Sequence, residues 1–156
     1  MKRGTLRTGP AFLLAQIGAH AAARFAERLL PLGLAPPDAG ILRIVGAEPG
    51  ITQRALAERL SIFPSRLVLL LDDLAGRGWV ERYPTPEDRR SNALRLTKAG
   101  ATRLEAVGRV AREHQADLCA ALDETERDRL RELLEKIATQ QKLLPGVHPG
   151  YRKMGR

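Results

Sequence analysis

The chain has 156 residues, of which 44% are hydrophobic and 28% are charged, and this balance excludes a wholly disordered protein. Its strictly apolar runs are short, as in Leu67–Leu71, against the roughly 20 residues of a spanning helix, so we expect no membrane partner and no signal peptide. The formal net charge of +8 indicates an anionic partner.

The basic excess lies mainly at the two ends of the chain. Residues 1–8 and residues 145–156 each carry a net charge of +3, which leaves +2 for the body between them. Within the total, 21 arginines outnumber 5 lysines, and arginine offers a planar fork that suits phosphates and base edges. Composition alone therefore leaves nucleic-acid binding and merely solubilising tails as equal alternatives. The single cysteine, Cys119, cannot form an internal disulfide, so we expect a cytoplasmic protein.

Two helices are predicted in the first 50 residues. Pro10 is well placed as a first helical residue, and apolar side chains then recur every four residues until the chain reaches Pro31. A second, shorter helix is predicted to follow Pro36 and to end at the E-P-G of residues 48–50. The apolar face of the first helix consists of Leu13, Ile17, Ala21, Phe25 and Leu29, and the predicted inward positions of the second are Ile41, Leu42, Ile44 and Val45.

The following segment predicts two short helices joined by a tight turn. Thr52 is a favourable N-cap for the third helix, which carries Ala55, Leu56 and Leu60. After a turn at residues 61–63, Pro64 is suited to the first turn of a fourth helix, which we expect to end at Arg77–Gly78.

A two-stranded hairpin is predicted after the fourth helix. Residues 79–83 alternate between apolar and polar side chains, as do residues 93–96, and a polar loop with two prolines separates them. Trp79, at the start of the first strand, is predicted to be a core residue beneath the hairpin.

Two more helices complete the pattern. Thr97 is suited to capping a long helix whose apolar positions extend to Leu122. Asp123 and Glu126 form a capping box for a last helix, and the chain from Pro145 is predicted to be a disordered tail. The apolar positions of these two helices are Leu104, Val107, Ala111, Leu118, Leu122, Leu130, Leu133, Leu134, Ile137 and Leu144.

The order of these elements predicts a mainly α fold, a winged helix-turn-helix with a two-stranded β-wing. The first and last helices each have an apolar face that would be exposed to solvent in a single chain, so we expect them to pack against a second copy. The predicted divisions are a basic tail at 1–8, a dimerisation helix at 9–33, a winged helix-turn-helix at 34–97, dimerisation helices at 98–144 and a flexible basic tail at 145–156.

The helix-turn-helix suggests how DNA would be bound. The fourth helix would enter the major groove with its first turn, where Ser65 offers a hydroxyl and Arg66 offers a fork for a guanine edge or a phosphate. The loop of the hairpin carries Arg89 and Arg90, flanked by Ser91, and a thin arginine-tipped loop suits the narrow minor groove.

Several motifs in this region are similar to those of one family. L-A-E-R-L, L-L-x-D-x-L and R-G-x-V-E-R stand in family spacing between Leu56 and Arg82, and P-E-D-R-R, L-R-L-T and K-A-G follow at 86–100. The sequence resembles the MarR family of bacterial transcription regulators, and the D-x-R of the wing followed by L-x-L-T is the most specific part. The resemblance implies that Arg90 is the minor-groove arginine and that Asp88 holds the wing in shape. It also implies a dimer and the release of DNA on binding a small molecule.

The fourth helix departs from the family pattern. It reads P-S-R-L-V-L-L-L-D-D, with Val68 and Leu69 where family members commonly make polar contacts. Base reading would therefore depend on Ser65, Arg66 and methyl contacts from Val68.

Other polar residues admit two interpretations each. Thr52 is first an N-cap, with a phosphate contact open to it or to Gln53. His20, on the first helix, could line an effector pocket or be a half-buried interface residue. The role of Cys119 is left open, and we expect no metal site and no cofactor.

We therefore predict a dimeric DNA-binding regulator, acting as a repressor on a roughly palindromic duplex. No glycine-rich phosphate loop, H-E-x-x-H or G-x-S-x-G motif occurs, so we do not expect an enzyme. The alternative is a ligand- or protein-binding dimer whose winged helix does not read DNA specifically.

Overall fold

The computed structural model describes residues 8–86, 92–148 and 150–151. Its elements confirm the predicted mainly α architecture with one antiparallel hairpin. In chain order they are α1 (Pro10–Leu29), a 3-10 turn (Leu30–Leu32), α2 (Pro36–Ala47), α3 (Gln53–Leu60), α4 (Pro64–Gly76), β1 (Val80–Pro84), β2 (Asn92–Leu96), α5 (Lys98–Leu118) and α6 (Glu124–Gln140).

The helix starts follow from local chemistry and confirm the predicted caps. α1, α2 and α4 each begin with a proline, whose missing N–H group costs nothing at that position. The Thr52 hydroxyl accepts a hydrogen bond from the backbone N–H of Ala55 at 3.1 Å, and Thr97 accepts one from Gly100 at 3.0 Å. At the start of α6, Asp123 and Glu126 form the predicted capping box.

The hydrophobic core lies between α2, α3, α4 and the hairpin. Trp79 is buried beneath the hairpin as predicted, and the guanidinium groups of Arg77 and Arg103 lie 5.2 and 4.7 Å from its ring centroid. In α3 the buried residues are Leu56, Ala57 and Leu60, whereas Ala55 is exposed. The largest fully buried side chains are Leu29, Ile41, Leu42, Val45, Leu56, Leu60, Leu67, Leu71, Leu74 and Leu94.

The hairpin is tied to the segment that precedes α3. Strands β1 and β2 pair in antiparallel register, with Val80 opposite Leu96 and Tyr83 opposite Ala93. On its other edge β2 exchanges backbone hydrogen bonds with residues 50–51, through the Gly50 N–H and the Leu94 N–H. This pairing fixes the stem of the hairpin relative to the helix-turn-helix.

α5 begins in close contact with the entrance to the hairpin. Gly100 is buried, and a Cβ atom built on it would lie 1.8 Å from the backbone carbonyl oxygen of Trp79. The Thr97 hydroxyl donates a hydrogen bond to the carbonyl of Gly78 at 2.5 Å. The first turn of α5 can therefore approach this backbone only because residue 100 has no side chain.

The C-terminal part differs from the sequence prediction in three places. α5 ends at Leu118, so Leu122 lies in the connection to α6 and Cys119 is the C-cap residue of α5. α6 ends at Gln140, so Leu144 lies beyond it. Where a disordered tail was predicted from Pro145, residues 145–148 and 150–151 instead fold back against α2.

Two contacts hold this returning segment against α2. Arg43 donates a hydrogen bond to the carbonyl of Gly146. Tyr151 is buried, its ring lies in the space that a Cβ on Gly40 would fill, and its hydroxyl donates to the carbonyl of Pro37 at 2.5 Å. Burial raises the pKa of the Tyr151 hydroxyl, and Asp38 adds to the effect.

Among the described residues, no single helix combines the length and apolar character needed to cross a bilayer. α1 with its 3-10 turn reaches that composition only together with α2, across a bend of 76°.

Candidate nucleic-acid interface

α4 presents one face to the core and the opposite face to solvent. Leu67, Leu71 and Leu74 are completely buried, which fixes the rotation of the helix about its axis. The side chains pointing away from the core at the N-terminal half of α4 are those of Ser65, Arg66, Val68 and Leu69, which we call the outer face of α4. Three predicted DNA-binding residues, Ser65, Arg66 and Val68, are thus brought together on an exposed surface.

The cation on this face is available to a ligand. Arg66 is exposed, and its guanidinium forms no hydrogen bond or ion pair with any residue of the described ranges. It lies in the first turn of α4, where the positive end of the helix dipole also faces an approaching anion. The local electrostatics therefore favour a phosphate or an electronegative base edge at this end of the helix.

The acidic residues of α4 are neutralised by neighbouring arginines. Asp72 forms an ion pair with Arg82 of β1 at 2.7 Å, and Asp73 forms one with Arg77 at 2.9 Å. Both carboxylates lie in the second half of α4, away from Arg66. Both carboxylates are therefore engaged within the chain.

Arg82 also connects the two helices of the helix-turn-helix. Its Nε donates to the side-chain oxygen of Gln53 at 2.7 Å while its other end holds Asp72. Gln53, predicted to contact phosphate, therefore has its oxygen occupied and keeps only its amide N–H groups as donors. Sequence reasoning did not find Arg82, because the contact joins three separate elements and leaves no periodic signal.

Thr52 serves as an N-cap, since its hydroxyl oxygen accepts the Ala55 N–H. It is half-buried at the start of α3, and a phosphate contact from its hydroxyl stays a prediction.

The four predicted wing residues, Asp88, Arg89, Arg90 and Ser91, lie outside the described residues, so their roles also stay predictions. The stem of the wing places Arg95 against the ring of Tyr83, 4.7 Å from its centroid, and 2.5 Å from Glu81.

Three exposed apolar side chains, those of the N-cap residue Phe63 and of Val68 and Leu69, form what we call the apolar centre of the outer face of α4. Of these, the sequence analysis included only Val68 among the site residues. Leu69 follows Ser65 by four residues, so the two share one face, and Leu69 is 62% exposed. Phe63, the N-cap residue of α4, is 63% exposed at the end of the same helix. A helical projection anchored on Leu67 and Leu71 would have identified Leu69 as the most outward residue.

A second exposed surface is formed by the terminal helices. α6 buries none of its residues, and Leu130, Leu133, Leu134 and Ile137 form an exposed stripe along it, which we call the α6 apolar stripe. α1 exposes a comparable set at its N-terminal end, Phe12, Leu13, Leu14 and Ile17. Such continuous apolar surfaces are typical of interfaces between protein chains.

His20 lies at a cleft between α1 and α5. The cleft is lined by four cationic or titratable side chains and one carboxylate, namely His20, Arg24, Arg28, His114 and Asp117. Arg28 forms an ion pair with Asp117, and its Nε is buried without a hydrogen-bond partner in the described ranges. Burial lowers the pKa of His114, and the adjacent Arg28 lowers it further. His20 itself is exposed at the rim.

Cys119 is half-buried at the C-terminal end of α5. Its carbonyl oxygen accepts a hydrogen bond from Arg127 at 3.2 Å, which helps to place α6. Over residues 8–86, 92–148 and 150–151, no group of three or more His, Cys, Asp or Glu side chains could hold a metal ion.

Comparisons with known proteins agree on one family. A family model described as MarR family matches residues 32–91. An HTH-type transcriptional repressor of Mycobacterium tuberculosis (strain ATCC 25618 / H37Rv) is 31% identical over 131 residues, which cover 82% of this chain and 92% of the relative. The match therefore covers almost the whole length of this relative.

Two solved structures have similar folds. The transcriptional repressor CouR bound to a 23-mer DNA duplex has a TM-score of 0.76 and 32% identity, with 88% of this chain and 98% of that chain covered. A MarR family protein of Mycobacterium tuberculosis in complex with p-aminosalicylic acid has a TM-score of 0.67 and 27% identity, with 84% and 99% covered.

Proposed function

Because the chain belongs to the MarR family of transcriptional regulators, we propose that it is a repressor that binds a roughly palindromic DNA duplex as a homodimer. The observation that carries this proposal is the outer face of α4, where Arg66 and Ser65 stand free at the N-terminal end of a helix whose other side is locked into the core. A single helix of this kind fits the major groove. CouR, with a similar fold, is bound to a DNA duplex.

The dimer in this proposal is formed by the terminal helices. The α6 apolar stripe and the exposed leucines of α1 would be covered by a second copy, because one chain leaves them in water. Two copies related by a twofold axis would place their α4 helices in successive major grooves, about 10 bp apart. The symmetry of the dimer is the reason that the site should be palindromic. Such a regulator acts in the cytoplasm, where its one cysteine stays reduced.

We further propose that a small acidic molecule regulates binding from the cleft near His20. Four positive or protonatable groups line this cleft beside one carboxylate, Asp117, and Asp117 is already paired with Arg28. The p-aminosalicylic acid complex of a similar fold supports the same class of ligand. Adding p-aminosalicylic acid to the protein–DNA complex should lower the fraction of DNA bound, and an unchanged fraction at saturating ligand would contradict this.

The central test is selection of bound sites from a random duplex pool with the full chain. We expect an inverted repeat with half-sites centred about 10 bp apart, and an affinity for it that falls steeply with salt because arginines displace counterions from phosphates. Placing the selected site over a reporter promoter should lower expression when the protein is present. A protein that binds no duplex at low salt would overturn the proposal.

The exposed apolar side chains of α4 favour a second candidate, a dimer that binds a ligand or a protein and reads no DNA sequence. Leu69 and Phe63 are the specific observation behind it. A salt titration that compares the selected duplex with a random duplex of equal length separates the two candidates. Equal affinity for both duplexes at every salt concentration would favour the second.

Replacing Arg66 with alanine should cost about 1–3 kcal/mol in binding free energy at a single base-pair position if its guanidinium reads a base. The measurement is the affinity of wild type and variant for the selected duplex and its point-substituted forms. Arg129→Ala is the matched control, since it removes an arginine that pairs with Glu132 on α6. If Arg66→Ala weakened binding to all duplexes equally, Arg66 would instead be a phosphate contact.

Replacing Arg90 with alanine should weaken binding about tenfold to a hundredfold, because a charged hydrogen bond in the minor groove would be lost. The melting temperature of the free protein should stay the same, since the sequence predicts Arg90 to lie in the polar loop of the wing. Titration of the selected duplex by fluorescence anisotropy checks the first value and thermal unfolding checks the second. An unchanged affinity would remove the wing from the mechanism.

A further inference from the structure

The apolar centre of the outer face of α4 is unexplained by phosphate binding or by polar base contacts. Single exposed leucines are common on protein surfaces, but here Phe63, Val68 and Leu69 are exposed together at one end of one helix. They flank Ser65 and Arg66, the two polar groups that would face DNA. An apolar group at this place is in contact with the bases if α4 lies in the groove at all.

The major groove offers an apolar side chain only one favourable partner. Each base pair presents hydrogen-bond donors and acceptors there, and thymine alone adds a methyl group, at C5. A leucine or valine opposite any other base edge would bury a polar group without satisfying it. The most outward residue, Leu69, can therefore contribute positively to binding only where it meets a thymine methyl.

The arrangement of charges supports contact with DNA over contact with a protein. The segment from Phe63 to Leu71 contains no acidic residue, and the carboxylates of Asp72 and Asp73 are already paired with arginines. Arg66 and the helix N-terminus keep this half of the helix positive. The apolar centre therefore lies beside the positive charge of Arg66 and a helix N-terminus, both of which favour a polyanion such as DNA.

We propose that Leu69, assisted by Val68, reads thymine methyl groups in the operator, so that each half-site carries one or two thymines at fixed positions. Ser65 and Leu69 lie about 6 Å apart along the helix, which corresponds to roughly two base-pair steps. The thymines read by Leu69 should therefore be close neighbours of the base pair that Ser65 and Arg66 approach. This inference rests on the proposed DNA-binding function and adds which bases that binding prefers.

The test replaces each thymine of the selected duplex, one at a time, with deoxyuridine, which keeps every hydrogen-bonding group and lacks only the C5 methyl. We expect about a threefold to fourfold loss of affinity at one or two positions in each half-site and no change elsewhere. In Leu69→Ala the affinity for the thymine duplex should fall by a similar factor. The same deoxyuridine substitution should then have no further effect.

Arg66→Ala is the matched control on the same helix, because removing the guanidinium should leave the sensitivity to deoxyuridine intact. Leu69→Ala should also leave the salt dependence of binding unchanged, since it removes no phosphate contact. Leu69 is exposed, so the variant should fold, and thermal unfolding verifies this.

The outcomes separate this inference from the proposed function. If the protein selects a duplex but no deoxyuridine substitution weakens binding, the inference is overturned and DNA binding stands. If no duplex is selected, the proposed function itself fails. If Leu69→Ala leaves DNA affinity unchanged and instead abolishes binding to another protein, the apolar centre is a protein-docking surface and the inference is again overturned.

Discussion

Replacing Ile137 with glutamate is expected to convert the dimer to a monomer and to weaken binding to the selected duplex about a hundredfold to ten-thousandfold. Ile137 is 44% exposed at the C-terminal end of the α6 apolar stripe, on a helix that has no buried residue. In a twofold interface the substitution adds two charges to an apolar surface, and each would lose its hydration on association. A monomer would bind only one half-site, so the gain in affinity from binding both half-sites at once would be lost.

Sedimentation velocity of wild type and variant measures the change in assembly, and anisotropy titration measures the change in affinity. Thr139→Glu is the matched control, because it adds the same charge about half a turn away, on the opposite side of α6. The control should remain a dimer. An Ile137→Glu protein that stays dimeric with full affinity would show that the α6 apolar stripe is not the interface.

Replacing Gly100 with alanine is expected to lower the free energy of unfolding by about 3 kcal/mol, because the new methyl group would overlap the backbone of Trp79. The carbonyl oxygen of Trp79 would lie 1.8 Å from the added carbon and its carbonyl carbon 2.8 Å away. Neither atom is the end of a flexible side chain, so the start of α5 or the entrance to β1 must shift. The Thr97 hydroxyl bond to Gly78 would be strained by the same movement.

Chemical denaturation of both proteins gives the difference in free energy of unfolding. Gly76→Ala, at the end of α4, is the control, because a Cβ there meets nothing within 4 Å. It should leave stability unchanged or raise it by roughly 0.5–1 kcal/mol, since alanine restricts the unfolded chain. Equal stability of Gly100→Ala and wild type would mean that the α5–hairpin junction adapts without cost.

The helices of this protein could be predicted from its sequence because each helix boundary is determined by residues close to it in the chain. A proline at the first position, a threonine or aspartate cap and a glycine stop act within one turn of the chain, so Pro64, Thr97 and Asp123 each identify a helix start without knowledge of the fold. The inward positions of α2, namely Ile41, Leu42, Ile44 and Val45, followed from the same periodicity. Elsewhere the apolar pattern continued past a helix end, at Leu122 and Leu144, and most of the apolar positions of α1 and α6 are exposed in the single chain.

Contacts between distant segments could not be predicted in this way. The contact of Tyr151 with Gly40 depends on a missing Cβ more than a hundred residues earlier in the chain, and the glycines and prolines around Tyr151 indicated disorder. The bridging contacts of Arg82 could not be predicted either, since its partners Gln53 and Asp72 belong to other elements. On α4 the residue types were read correctly, but the outward position of Leu69 emerged only from the orientation of the helix.

The return of the chain to α2 has a mechanical consequence for the spacing of bound half-sites. The helix-turn-helix is joined to the terminal helices through α5, and again through the hydrogen bonds of Arg43 to Gly146 and of Tyr151 to Pro37. Because the helix-turn-helix is attached at two separate points, it cannot rotate freely about either of them relative to the terminal helices. We therefore expect the distance between the two α4 helices of a dimer to vary little, so that inserting or deleting one base pair at the centre of a bound site should be poorly tolerated.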